Sequence, residues 1–290
     1  MPNFFIAGAP KAGTSSLCAY LQTIPGIYMS RLKEPNYFSR IVVPDDHPVR
    51  PIRDQRQYLQ LFAEAGEARV IGEASPTYLA DPEAPRLIKA YIPHAKVLAS
   101  LRDPVERAYS HYLMMLNNGT AKGTFLDEIK RGLALGDNRR LSLLRADVGL
   151  YYRQVERFHS EFGDAQFKVL LFEEFSIDVV GTLRQVLDFL CIEQSLQEFT
   201  APAYREYSVV RGPLVRYVFG NRTIARASEL LIPPAIRKAV RDKLLVRKAA
   251  KPVMEPAARE FLRQYYADDT RALARLLGRE LPWRNFPNAT

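Results

Sequence analysis

The chain has 290 residues, 47% of them hydrophobic and 25% charged, with a net charge of +9 and two cysteines. That composition belongs to a globular protein long enough to bury a sizeable core. It excludes a disulfide scaffold and a low-complexity chain, and no apolar run reaches the roughly 18 residues a transmembrane helix needs. The opening Met1-Pro2-Asn3 lacks the basic start and cleavage site of a signal peptide, so the expectation is a cytoplasmic protein. Cys18 and Cys191 fall in apolar helical patterns and read as buried free thiols. The charge is uneven: residues 211–251 hold 11 Lys and Arg against 2 Asp and Glu, which is the whole excess of the 41 basic over the 32 acidic residues.

Taken in chain order, Asn3 to Ala7 is a short apolar run ending at Gly8, the pattern of a buried parallel strand. A glycine-punctuated loop follows, and Thr14-Ser15-Ser16 stand where they can cap the next helix. Ile27 to Met29 is a second short strand, and residues 54–65 read as helical. Arg69 to Glu73 is a third strand, with a turn at Ser75-Pro76. Pro82 to Tyr91 is a helix and Lys96 to Leu101 another buried strand. Asp103-Pro104 then opens a long helix, Asp as N-cap and Pro as first helical residue. Further helices are predicted over 125–135, 148–163, 176–190 and 255–277, with a last clear strand at 167–172. Strands alternating with helices imply an α/β fold with a parallel sheet covered on both faces. No internal repeat or linker divides the chain, so residues 1–290 are expected to form one domain. The basic stretch 211–251, broken at Pro213, Pro233 and Pro234, is expected to be a helical appendage within it.

The loop Gly8-Ala9-Pro10-Lys11-Ala12-Gly13 leads from a strand into a helix that begins Thr14-Ser15-Ser16. Backbone N–H groups at a helix N-terminus, with a lysine beside them, are the physical recipe for holding a phosphate. The Walker spacing between Gly8 and Gly13 is kept, but Thr14 stands where that motif has its lysine, and the lysine is Lys11 inside the loop. A second basic motif, Arg102-Asp103-Pro104-Val105-Glu106-Arg107 through Ser110, follows the strand ending at Leu101. Open α/β sheets bind ligands at such strand ends. The plainer alternative is that Arg102 and Arg107 are surface charges near a helix start.

Pro10 to Leu17 resembles the 5′-phosphosulfate loop of sulfotransferases that use 3′-phosphoadenosine-5′-phosphosulfate (PAPS), in particular the carbohydrate and heparan sulfate branch and its bacterial relatives. The resemblance implies a P-loop-NTPase-like three-layer fold with a central parallel sheet of about five strands. It implies that Lys11, Ala12, Gly13, Thr14, Ser15 and Ser16 hold the phosphosulfate, and that Arg102 and Ser110 hold the 3′-phosphate. Lys33-Glu34-Pro35-Asn36-Tyr37-Phe38 is similar to the segment that carries the family's glutamate base. On that resemblance Glu34 is the proton acceptor and Lys11 the group that neutralises the leaving phosphate, with Lys33 near the substrate. An unperturbed glutamate titrates near 4.3, so burial would have to raise it for efficient work as a base. His111, His47 and His94 remain competitors for the base.

Gly72-Glu73-Ala74-Ser75 is similar to a segment in which the heparan sulfate enzymes carry a catalytic lysine; here that position is Ala74, and Ser75 either lines the site or simply ends the strand. Tyr151 matches an aromatic near the cofactor or acceptor, or is a core ring. Lys248 and Lys251 occupy the place of a basic loop over the 3′-phosphate. The cofactor implied is PAPS, leaving adenosine 3′,5′-bisphosphate, with no metal required. The acceptor implied is a hydroxyl or amine, on a carbohydrate or glycolipid, and no nucleic acid partner is implied. The segment 211–251 has three readings: an anionic membrane surface, an acidic acceptor, or solvated helix faces. The rival functions are an ATP-dependent small-molecule kinase on the same fold and a non-catalytic nucleotide-binding adaptor.

Overall fold

The computed structural model describes residues 1–40, 51–134, 146–196, 199, 208–210, 246–248 and 251–287. Five strands form one parallel sheet: β1 (Phe4–Gly8), β2 (Ile27–Met29), β3 (Val70–Ala74), β4 (Lys96–Leu101) and β5 (Phe167–Leu171), in the order β2-β3-β1-β4-β5. The helices are α1 (Thr14–Leu21), α2 (Gln55–Gln60), α3 (Ala84–Tyr91), α4 (Pro104–Asn117), α5 (Phe125–Ala134), α6 (Tyr152–Gln166), α7 (Phe172–Ile177), α8 (Val179–Leu190) and α9 (Pro256–Leu277). A separate antiparallel pair joins β6 (Ser208–Val210) to β7 (Val246–Lys248). The basic stretch 211–251 otherwise lies outside the described residues, apart from Lys251.

The unbroken apolar run of β1 has a direct cause. Phe5 and Ala7 enter one core with α3, α4, α6 and α9, while Phe4 and Ile6 enter a second core with α1 and α8. Helices on both faces leave no polar side for the strand to show, giving the expected three layers. β1 lies at the centre, paired to β3 through Phe5↔Glu73 and to β4 through Phe5↔Val97. The C-terminal ends of β1, β3 and β4 therefore adjoin, and the loops leaving them share one rim.

Three local expectations need correction. Thr14, Ser15 and Ser16 do not cap α1; its N-cap is Gly13, in the left-handed region at φ 82° and without a side-chain cap bond. The predicted helix over 176–190 is two helices, because Asp178 ends α7 and its carboxylate caps α8 through the Gly181 N–H. Cys191 is exposed rather than buried, at the left-handed end of α8, whereas Cys18 is half-buried. Asp103, by contrast, caps α4 as its sequence implies, accepting from the Val105 and Glu106 N–H groups. Among the described residues no helix is long and apolar enough to cross a membrane.

Candidate active site

The loop from Gly8 to Gly13 sits over the end of β1 and is fastened to β4. Ala9 N–H donates to the Ser100 carbonyl at 2.6 Å, and Ser100 Oγ donates to the Ala12 carbonyl at 2.6 Å. Gly13 is a position only glycine suits: its φ is positive, and a Cβ there would lie 2.9 Å from the Phe172 ring. Lys11 also has a positive φ, 70°. The Ala12 N–H is given to the Ala9 carbonyl and Ser16 N–H to the Gly13 carbonyl. Ala12 is fully buried and shapes the loop. The N–H groups of Thr14 and Ser15 head the helix with no carbonyl in the preceding turn to take them, which is the condition for anion binding.

Arg102 leaves the end of β4 and turns toward this loop. Its guanidinium donates to the Lys11 carbonyl at 3.2 Å and lies 4.5 Å above the centre of the Phe172 ring. The two basic motifs are thereby neighbours, 91 residues apart in sequence. The surface-charge alternative for Arg107 is overturned, since that side chain is fully buried and hydrogen-bonds the Tyr266 hydroxyl. Ser110 is half-buried on α4, two turns beyond the cap. Lys251 reaches the same helix: its Nζ pairs with Glu106 at 2.8 Å and lies over the Tyr109 ring. Burial pushes the Glu106 carboxyl up, but Lys251 and Arg259 outweigh it and hold the group below its usual value. The side chain of Lys248 lies outside the described residues.

Glu34 comes from the loop after β2. Its N–H donates to the Ala74 carbonyl, and its carboxylate lies 3.4 Å from Lys33 Nζ with the side chain about a quarter exposed. Among the groups acting on Lys11, Glu34 is the one anion, while Lys33, Arg102 and Arg107 are cations. Burial first, then those cations, push the Lys11 ammonium down to about 8. A site with that surplus of positive charge fits a polyanionic ligand. His111 faces the same cluster, but burial, Arg107 and Lys11 push its imidazole down to about 3. A group that weakly basic is a poor proton acceptor. His94 lies in a turn and His47 outside the described residues.

Two predicted contacts are displaced inward. Ser75 is fully buried, with its hydroxyl donating to Glu73 Oε2 at 2.6 Å and accepting from Asn36 N–H at 3.0 Å. Tyr151 is also fully buried, and its hydroxyl donates to the Arg102 carbonyl at 3.0 Å. Ser75 holds the Glu34 loop and Tyr151 holds the end of β4.

Sequence reasoning missed the groups that brace the rim. Glu173 accepts from the Asp103 N–H and from Trp283 Nε1, both at 3.0 Å. Asp103 Oδ2 accepts from Asn285 Nδ2 at 2.7 Å. The closing segment is thus tied to the strand end that bears Arg102. The signal available was the lone Trp283 followed by Asn285, which gave no partner. Glu73 was likewise passed over, although its buried carboxylate holds the Ser75 hydroxyl that meets the Glu34 loop. Cavities of about 310 and 290 Å³ lie away from this rim, along α9 and beside β5. Among the described residues no group of His, Cys, Asp and Glu is arranged to hold a metal.

A glycine-lysine loop at the end of the central strand, with an arginine from the adjacent strand end, is the arrangement by which α/β proteins can hold a phosphate. The chain belongs to the sulfotransferase family, whose pattern it matches over residues 46–196. That span includes Arg102 and Ser110. A sulfotransferase crystal structure from Alicyclobacillus acidocaldarius is similar over 97% of both chains, at 30% identity and TM-score 0.74. Carbohydrate sulfotransferase 15 of Homo sapiens is 29% identical over 244 residues, 66% of this chain and 44% of its own length. Heparan sulfate glucosamine 3-O-sulfotransferase 3A1 of Mus musculus is 28% identical over 200 residues, 68% of this chain and 48% of its own. The chain therefore spans about half the length of these curated relatives.

Proposed function

We propose that the protein transfers a sulfuryl group from PAPS to a hydroxyl or amine of a carbohydrate or glycolipid acceptor. The observation that carries this is the Arg102 guanidinium bonded to the Lys11 carbonyl, which puts two anion-binding motifs and Glu34 on one rim. The acceptor class is supported by relatives named for carbohydrate and heparan sulfate. The positive charge of residues 211–251 adds support for an anionic acceptor or an anionic membrane surface.

When bound, PAPS supplies an activated sulfuryl group on an anionic leaving phosphate. Lys11 neutralises charge on the bridging oxygen, and the N–H groups of Gly13, Thr14 and Ser15 with the hydroxyls of Thr14, Ser15 and Ser16 cradle the phosphosulfate. Arg102 and Ser110 hold the 3′-phosphate, with Lys248 and Lys251 as further cations. Glu34 accepts the proton of the attacking group, and Lys33 beside it orients that carboxylate. Incubation with radiolabelled PAPS and a panel of oligosaccharides tests the reading. Label transferred to a sugar supports it. Label transferred only to non-carbohydrate hydroxyls would overturn the acceptor class, and no transfer to any acceptor in a broad screen would overturn the activity.

A further inference from the structure

Glu73 is the last but one residue of β3, fully buried, with three hydroxyl groups converging on it. Tyr58 Oη and Tyr78 Oη donate to Oε1 at 2.9 and 2.7 Å, and Ser75 Oγ donates to Oε2 at 2.6 Å. The Ser75 hydroxyl has one proton and gives it to Glu73, which turns its lone pairs toward Asn36 N–H at 3.0 Å. Asn36 and Glu34 both have positive φ, 51° and 58°, a conformation that costs non-glycine residues about 1 kcal/mol or more each. Such a turn persists only where its surroundings hold it. Asn36 Nδ2 donates to the Glu34 carbonyl at 2.8 Å, Thr77 Oγ1 donates to Asn36 Oδ1, and Arg53 donates to the Asn36 carbonyl.

We propose that Glu73 is a positioning residue for Glu34: in its ionised form it orients the Ser75 hydroxyl, which clamps the Glu34-Pro35-Asn36 turn. The inference rests on the reading of Glu34 as proton acceptor, but the clamp is tested separately from it. Three donors and no acceptor match a carboxylate. A protonated Glu73 adds a fourth proton, and one buried hydroxyl must then turn away without an acceptor. Turning Tyr78 loosens the same segment two residues further on, because its oxygen accepts from Phe38 N–H. Ser75 is the hydroxyl whose reorientation reaches the turn. Burial pushes Glu73 up to about 7, against the three hydrogen bonds that hold it down. The titratable groups facing it are Tyr58 of α2, Tyr78 of the turn beyond β3 and Cys18 of α1. Both tyrosines are pushed up by burial, as is the thiol, to about 11, so Glu73 is the one of the four that changes charge near neutrality. The clamp is therefore closed above about 7 and loosens as pH falls through that value.

Amide hydrogen exchange of the peptide spanning residues 31–40, followed by mass spectrometry and corrected for intrinsic rate, reads the clamp directly. In the wild-type chain, protection at pH 8 should exceed that at pH 6 by tenfold or more. Glu73→Gln and Ser75→Ala should show the low value at both pH values. Tyr58→Phe removes one bond that favours the carboxylate, so the midpoint should move to higher pH with the closed state intact. Protection independent of pH in the wild type, or full protection in Glu73→Gln, would overturn the proposal. Adenosine 3′,5′-bisphosphate affinity, expected within about threefold of wild type in Glu73→Gln, reports that the variant is folded. Should Glu73→Gln fail to fold, the wild-type pH dependence and the Tyr58→Phe shift decide the matter. Should the wild type bind no bisphosphate, the sulfotransferase reading fails while the exchange result still decides the role of Glu73.

Discussion

Two residues on the rim, Lys11 and Glu34, have opposite proposed tasks and make opposite predictions. Lys11 titrates near 8 in the free protein because it is buried among cations. An anionic ligand binds the protonated form, so affinity for adenosine 3′,5′-bisphosphate should be flat below about 8 and fall as pH rises past it. Lys11→Ala should weaken binding below that pH and remove the dependence above it. Calorimetry across pH 6 to 10 reads both. An unchanged slope in Lys11→Ala would assign the dependence to another group. Glu34→Gln removes the proposed proton acceptor and leaves every residue of the phosphate loop in place. Turnover should drop about 100-fold or more, with bisphosphate affinity within a few-fold of wild type. A Glu34→Gln enzyme of near-normal turnover would take Glu34 out of that role.

At the scale of elements, the rim stands on a few fastenings between loops and strand ends. Asp103 caps α4 with one oxygen and holds Asn285 with the other. Asp103→Ala should cost about 2–3 kcal/mol of stability, a helix cap plus a buried amide left without its partner. Urea unfolding measures it, and a cost under 0.5 kcal/mol would show that the closing segment is held by its other bonds, from Trp283 to Glu173 and from Arg259 and Arg263 to Asn285. The strands of this sheet were legible because burial on both faces forces uninterrupted apolar runs, as in Phe4 to Ala7. The cap of α4 was legible because Asp-Pro is a local signal. The start of α1 was misread because Gly13 in the left-handed region took the capping position that Thr14, Ser15 and Ser16 suit by type. Ser75, Tyr151 and Glu73 were placed only by the fold. Their partners are Asn36, Arg102 and Tyr58, between 15 and 49 residues away, and no local pattern records such pairings.

Over the whole molecule, charge is divided between a compact cationic site and a basic segment. The site gathers Lys11, Arg102 and Arg107 around one anion-binding loop. The segment 211–251 carries the entire net charge of the chain. Its apolar residues, among them Leu214, Val218, Phe219, Leu230 and Leu231, alternate with arginines in the manner of interfacial anchors. Anionic vesicles should sediment the protein at low salt and release it at high salt. Equal sedimentation with neutral vesicles would sink the membrane reading and leave an acidic acceptor or solvated helix faces.

The central claim is that the rim made by Lys11, Gly13 and Arg102 recognises a nucleotide with phosphates at both the 5′ and 3′ positions. Calorimetric titration with adenosine 3′,5′-bisphosphate beside ATP and ADP, with and without magnesium, tests it most directly. The expected result is tight, magnesium-independent binding of the bisphosphate and much weaker binding of ATP. A preference for ATP with magnesium would contradict it and put a kinase in its place.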